Sequence, residues 1–152
     1  MTALTAIAAI GSAVVAGVWF AFSGFVMAAL ARLPATQGAA AMQSINVTAV
    51  RPPLMLAMFG TAAVCVAAVV AALAGDGGGT GWVVAGAVLY LAGSVGVTIG
   101  GNVPLNDALA RVEPDDAVGL WPHYQERWTA WNTVRGVTAV AAAAAFAVAL
   151  AS

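Results

Sequence analysis

Long apolar runs broken by short polar punctuation set the pattern of this chain. Residues 5–31 form one such run, ended by Arg32 and Pro34. Residues 54–74 form a second, entered through Pro52-Pro53 and closed by Gly75-Asp76-Gly77-Gly78-Gly79. A third covers residues 82–101 and a fourth covers residues 128–150. A helix crossing a bilayer needs about 20 mostly apolar residues, so all four qualify. Alanine runs and long uncharged stretches favour helix, whereas barrel strands alternate with a weaker two-residue period. The pattern predicts an all-α protein: a single membrane domain over residues 1–152, built as an integral membrane four-helix bundle.

The polar breaks differ in size. The break between the second and third spans is short and glycine-rich, and reads as a turn. The other two are long and fall on one side of the membrane. Within the first, Pro34 suits the first turn of a helix. Met42, Ile45 and Ala49 then recur at helical spacing, with Gln43 and Asn46 on another face. A short interfacial helix over residues 34–50 is predicted, whose plainest role is to lie on the membrane surface. The N-terminal run lacks a charged leader and is longer than a secretory core of about 7–15 residues. It is expected to be a retained helix.

Composition fixes the solvent. Hydrophobic residues make up 62% of the chain and charged residues 7%, against roughly a quarter charged in soluble domains. Lipid is the expected partner of most of this surface. There is no lysine, and the cations are Arg32, Arg51, Arg111, Arg127 and Arg135. The first four flank the two long loops, so the positive-inside rule places those loops in the cytoplasm and both termini outside a cell membrane. No basic cluster or recognition motif points to nucleic acid. Cys65 stands alone in an apolar run and reads as a buried structural residue.

Glycines add a packing signal. Gly86, Gly93 and Gly100 recur every seven residues in the third span, with Gly96 between them, and Gly17 and Gly24 do so in the first. Small residues at such spacing let helix backbones approach closely. The pattern fits an internal helix pair and fits a homo-oligomer equally.

Candidate chemistry lies between Thr98 and Arg135. Thr98, Asn102 and Asn106 are four apart and share a helix face. Pro104 lies among them and withholds a backbone donor from the carbonyl near Gly100, which predicts a bend at the membrane edge. A helix end capped by asparagine is the simpler account of the same residues. Downstream, Pro122 fits a helix start, and Trp121, Gln125, Trp128, Asn132 and Arg135 fall on one stripe at 100° per residue. Tyr124 and Trp131 flank it and His123 points away. Arg135 sits about two turns inside the apolar segment, where a charge costs a few kcal/mol and normally turns to the protein interior. Snorkelling, or a bond that pins two helices, would also account for it. Trp128, Trp131 and Trp121 could equally be interfacial anchors. His123, with Asp107, Glu113, Asp115, Asp116 and Glu126, shows no metal-ligand spacing. No dinucleotide fingerprint, phosphate loop or nucleophile elbow is present.

Four motifs together resemble the anthrone oxygenase-like family of small four-helix membrane proteins, many of them catalogued only as a domain of unknown function. They are Phe22-Ser23-Gly24-Phe25-Val26-Met27, Met42-Gln43-Ser44-Ile45-Asn46, Asn102-Val103-Pro104-Leu105-Asn106, and Trp128-Thr129-Ala130-Trp131-Asn132-Thr133-Val134-Arg135. They occur in the expected order along nearly the whole chain, and the last two are the more specific. The resemblance implies oxidation of an anthrone to an anthraquinone with O2, without flavin, haem or metal cofactor.

That chemistry can be set against the residues. The enolate of an anthrone can reduce oxygen directly, so the protein must bind a flat aromatic, accept a proton and stabilise an oxyanion. Arg135, Asn132 and Asn102 are the candidate catalytic groups, with Trp128, Trp131, Tyr124 and Asn106 for substrate binding. Asp107, Glu126 and His123 are candidate bases. The expected site is a pocket opening toward the long-loop side. Two other readings stay open: a non-catalytic binder of a small lipophilic molecule, and a structural or partner subunit locked by the same polar residues.

Overall fold

The computed structural model describes residues 2–75, 78–113 and 115–152. Asp76 and Gly77, in the break that the sequence reads as a turn, lie outside the described residues, as do Pro114 and Met1. Every regular element among the described residues is helical. Four helices are long and apolar enough to cross a membrane: α1 (Thr2–Leu30), α3 (Pro52–Leu73), α4 (Thr80–Ala110) and α5 (Trp121–Ala151). A fifth, α2 (Ala35–Ala49), joins α1 to α3. The chain is a multi-pass membrane protein of the four-helix class.

The prolines act as starting signals. Pro34 caps α2, Pro52 and Pro53 open α3, and Pro122 lies in the first turn of α5. In each place the missing N–H is one that a helix start leaves unpaired anyway. Arg51 takes the extended backbone (ψ 160°) that a following proline favours, and this separates α2 from α3. At the opposite end Gly79 adopts φ 78°, and a Cβ there would lie 2.9 Å from the Ala149 carbonyl oxygen. Only glycine supplies that turn without strain.

The helices form a ring in which α1 contacts α3 and α5, and α4 contacts the same two. Alanines at Ala8, Ala16, Ala68, Ala87, Ala139 and Ala142 fill much of the membrane core. Small side chains bring the backbones close, the usual route to helix association where lipid removes the hydrophobic driving force. Two of the spaced glycines serve this internal packing. Gly86 lies against the Phe146 ring, and Gly93 against Thr138, both on α5; Gly17 and Gly100 have open space beside them.

Two elements differ from the sequence reading. The helix that carries the third apolar run extends past residue 101: α4 continues through Pro104 to Ala110. It does so by passing into π-helical register at Leu89–Gly96 and Thr98–Asn102, where the Val103 N–H reaches back five residues to the Thr98 carbonyl. A wider turn relieves the clash and the lost bond that a proline imposes on a regular helix. Likewise α5 begins at Trp121, well before its apolar segment. The apolar pattern covers only part of each helix, and both helices continue past it.

The element α2 is also more than an amphipathic segment. Met42 is fully buried, and Ala39 packs with Leu109, Ala117 and Trp121 in a second core at the long-loop end. Gln43 turns inward, its Nε2 donating to the carbonyls of Leu109 and Val112 at 2.8 Å each. Those carbonyls lie at and just past the C-terminal end of α4, where acceptors lose the regular helical partner; the Leu109 carbonyl receives a long 3.5 Å bond from the Val112 N–H.

Candidate functional site

The site is built where α5 meets α1 and α4. Arg135 is 3% exposed, although it lies in an apolar segment. Its Nε and one terminal nitrogen donate to Asn132 Oδ1 at 3.1 and 2.8 Å. The other terminal nitrogen donates to Thr98 Oγ1 at 3.1 Å. The guanidinium lies 3.6 Å over the Trp19 ring and 5.1 Å from the Trp128 ring centre, in the range of cation–π attraction. All its partners among the described residues are neutral. Two of the five guanidinium N–H groups are left without an acceptor there.

Each of these partners is itself held. Asn132 Nδ2 donates to the Trp19 carbonyl and to Ser23 Oγ, both at 2.7 Å. Thr98 donates to the Ser94 carbonyl at 2.8 Å, and Trp19 Nε1 to Ser94 Oγ at 3.2 Å. The network therefore ties α1, α4 and α5 around the cation. Thr98 and Asn102 both lie in the π-helical stretch of α4, whose register turns them toward α5.

A second polar cluster stands nearer the long loops. Asn106 Oδ1 accepts from Trp128 Nε1 at 2.8 Å and from the Tyr124 hydroxyl at 2.9 Å, and Asn46 Nδ2 donates to that hydroxyl at 3.4 Å. Trp121, Tyr124 and Trp128 stack in series along α5, with ring centres 5.6 and 6.5 Å apart.

Between the two clusters lies a cavity of about 100 Å³, with Arg135 and Thr98 on one wall and Trp19, Trp128, Met42 and Met58 among its apolar walls. Outside it a cleft of about 460 Å³ opens between α2 and α4, with Asp107 and Glu113 on its lining. Asn46, Val50, Val103 and Asn106 line both spaces and form the partition between them.

The structure sorts the sequence candidates. Arg135, Trp128 and Asn106 line the inner cavity. Asn132 and Tyr124 stand directly behind that wall and orient Arg135 and Asn106. Asn102 is buried, but it braces helices: its Nδ2 donates to the Trp128 carbonyl at 3.1 Å, and its Oδ1 has no partner among the described residues. Trp131 is placed elsewhere, 37% exposed and lying over Gly101 on the outer face. Of the candidate bases, Asp107 lies in the outer cleft, while His123 and Glu126 are exposed on α5.

The sequence pattern does not single out Trp19, Met55 or Met58 for the site, and it marks Met42 only as a helical position and part of a motif. Trp19 did carry a signal. It is a tryptophan deep in an apolar run rather than at its edge, where interfacial anchors gather.

The family profile described as anthrone oxygenase matches residues 53–145. The chain belongs to the anthrone oxygenase family. The match contains Thr98, Asn102, Asn106, Tyr124, Trp128, Asn132 and Arg135, whereas Trp19, Ser23, Met42 and Asn46 lie before it. No curated protein and no solved structure matches the chain.

Proposed function

We propose that this family member is a cofactor-independent oxygenase of the cell membrane, acting on an apolar polycyclic aromatic of the anthrone type with O2. The observation that carries the reading is a buried guanidinium whose partners among the described residues are neutral, on the wall of an apolar, aromatic-lined cavity. Such a group, fixed before the reaction, stabilises an oxyanion at little reorganisation cost. The net change converts the substrate CH2 to a carbonyl with one oxygen atom and releases the other as water. In this reading Arg135 faces the substrate oxygen and Trp128 and Trp19 flank the ring system. Asn132 is a positioning residue for Arg135, Tyr124 positions Asn106, and Asn102 braces α4 on α5. Pockets for multi-ring ligands span about 300–1,000 Å³. The inner cavity alone is below that range, so the rings extend through the partition at Asn46 and Val50 into the cleft.

Purified protein in detergent, supplied with anthrone in an oxygen electrode, is expected to consume one O2 per quinone formed, at a rate well above that of protein-free micelles. Consumption no faster than in the micelles alone would remove the oxygenase assignment. We further propose that both long loops face the cytoplasm, on the strength of Arg32, Arg51, Arg111 and Arg127 at that end. Native Cys65 is buried, so Asp115→Cys offers a clean thiol. A membrane-impermeant reagent is expected to label it only after cells are opened; labelling of intact cells would invert the topology.

A further inference from the structure

Arg135 presents a problem of charge. A cation in an apolar span is costly unless it finds a counter-charge or a wet cavity. The described carboxylates Asp107, Glu113, Asp115, Asp116 and Glu126 are all exposed, and none pairs with it. Its bonds go to an amide oxygen and a hydroxyl, and two N–H groups remain. Arg135 nonetheless lines a cavity. A ligand anion in that cavity would supply the missing counter-charge, and the walls of Trp19, Trp128, Met55 and Met58 suit one that is flat and apolar.

The ionisable groups around the cavity decide where the proton goes. On α5, the Tyr124 hydroxyl is already donating to Asn106 Oδ1 and receiving from Asn46, so it is no proton acceptor in this arrangement. On α4, Asp107 and Glu113 stand in the outer cleft, beyond the partition, and the Tyr90 hydroxyl donates to the Met58 carbonyl at 3.0 Å. The inner lining contributed by α1, α2 and α3 contains no acid or base. Among the described residues, no group on the inner wall can take a proton from a ligand that arrives neutral.

We infer that the inner cavity takes its ligand as a preformed oxyanion, the phenolate or enolate of a fused-ring aromatic, whose proton is released to water in the cleft between α2 and α4. The inference deepens the oxygenase reading by fixing the ionisation state of the bound substrate. An attractive cation favours the ionised form, so the bound ligand ionises at lower pH than the free one. Affinity then rises with pH, about tenfold per unit, up to the pH at which the free ligand itself ionises, and levels off above it.

The probe is 2-hydroxyanthraquinone, which has no CH2 to oxidise and absorbs at longer wavelength when ionised. With purified protein, at a pH one unit below that at which the free probe ionises in empty micelles, the bound probe is expected to show the ionised spectrum. Anthraquinone without the hydroxyl is expected to bind at least tenfold more weakly. Arg135→Lys keeps the spectral shift and Arg135→Gln loses it. A neutral spectrum in the wild-type protein, no binding, or an unchanged shift in Arg135→Gln that elutes as folded protein would each overturn the inference. The two readings separate cleanly. Anthrone turnover with a neutral bound probe removes only the anion site, and an ionised probe without anthrone turnover removes only the oxygenase.

Discussion

Replacing Asn132 by leucine is expected to destabilise the protein more than replacing Arg135 by methionine. Asn132 Oδ1 accepts two bonds from Arg135, and its Nδ2 ties α5 to α1 through the Trp19 carbonyl and Ser23. Leucine removes the acceptor and leaves the buried cation with Thr98 Oγ1 as its remaining hydrogen-bond acceptor among the described residues, beside the Trp19 and Trp128 rings. Leaving a buried charged group short of an acceptor costs more than the ~1–3 kcal/mol that a neutral one costs. Arg135→Met removes the cation and strands only a neutral amide oxygen, at about 1–3 kcal/mol. In the leucine background the methionine substitution should therefore be stabilising, since it deletes the orphaned charge. Thermal unfolding in detergent checks the sign, and strict additivity of the two changes would show that Asn132 does not hold Arg135. Turnover separates the lock from the catalyst. Each single variant should lose roughly a hundredfold or more, and the double variant should recover stability without recovering turnover. Turnover that returns with stability would reduce Arg135 to a helix lock.

Much of this arrangement is legible in the sequence where one physical constraint acts alone. The four apolar runs register the bilayer thickness, and the stripe from Trp121 to Arg135 registers one helix face; Trp121, Trp128, Asn132 and Arg135 are all buried. What escapes is set by two constraints at once. Pro104 argues for a helix end by its missing donor, yet a π-helical stretch before it carries α4 on to Ala110. Gln43 looks like a surface amide because its partners are the carbonyls of Leu109 and Val112, which no side-chain pattern reveals. Trp131 shares its motif with Trp128 and Asn132, but the one-residue offset from Asn132 rotates it by about 100° to the outer face. Trp19 is hidden for another reason. Its value lies in the guanidinium above it, which enters from a residue more than a hundred positions later in the chain.

Enlarging Gly93 should damage both the bundle and the site. A Cβ at this position would stand 2.5 Å from Thr138 Cβ and 2.6 Å from its Cγ2 and Oγ1. Thr138 has no room to yield as a long side chain would: it is β-branched, and its hydroxyl donates to the Val134 and Arg135 carbonyls at 3.0 and 3.1 Å. Gly93→Ala must therefore move backbone, pushing α4 away from α5. Overpacking of this kind costs about 1–3 kcal/mol, and Gly93→Leu should cost more. The displacement also reaches the cavity. Thr98 lies little more than a turn from Gly93, and Arg135 is on the turn of α5 next to Thr138, so separating the helices lengthens the Thr98–Arg135 bond of 3.1 Å. The alanine variant is expected to unfold at lower temperature and to bind hydroxyanthraquinone more weakly. Thr138→Gly placed on Gly93→Ala removes the opposing Cβ and should restore both properties. Restored stability with binding still weak would show that Thr98 is positioned by something other than this contact, and an unchanged unfolding temperature in Gly93→Ala would contradict the close approach of α4 and α5 altogether.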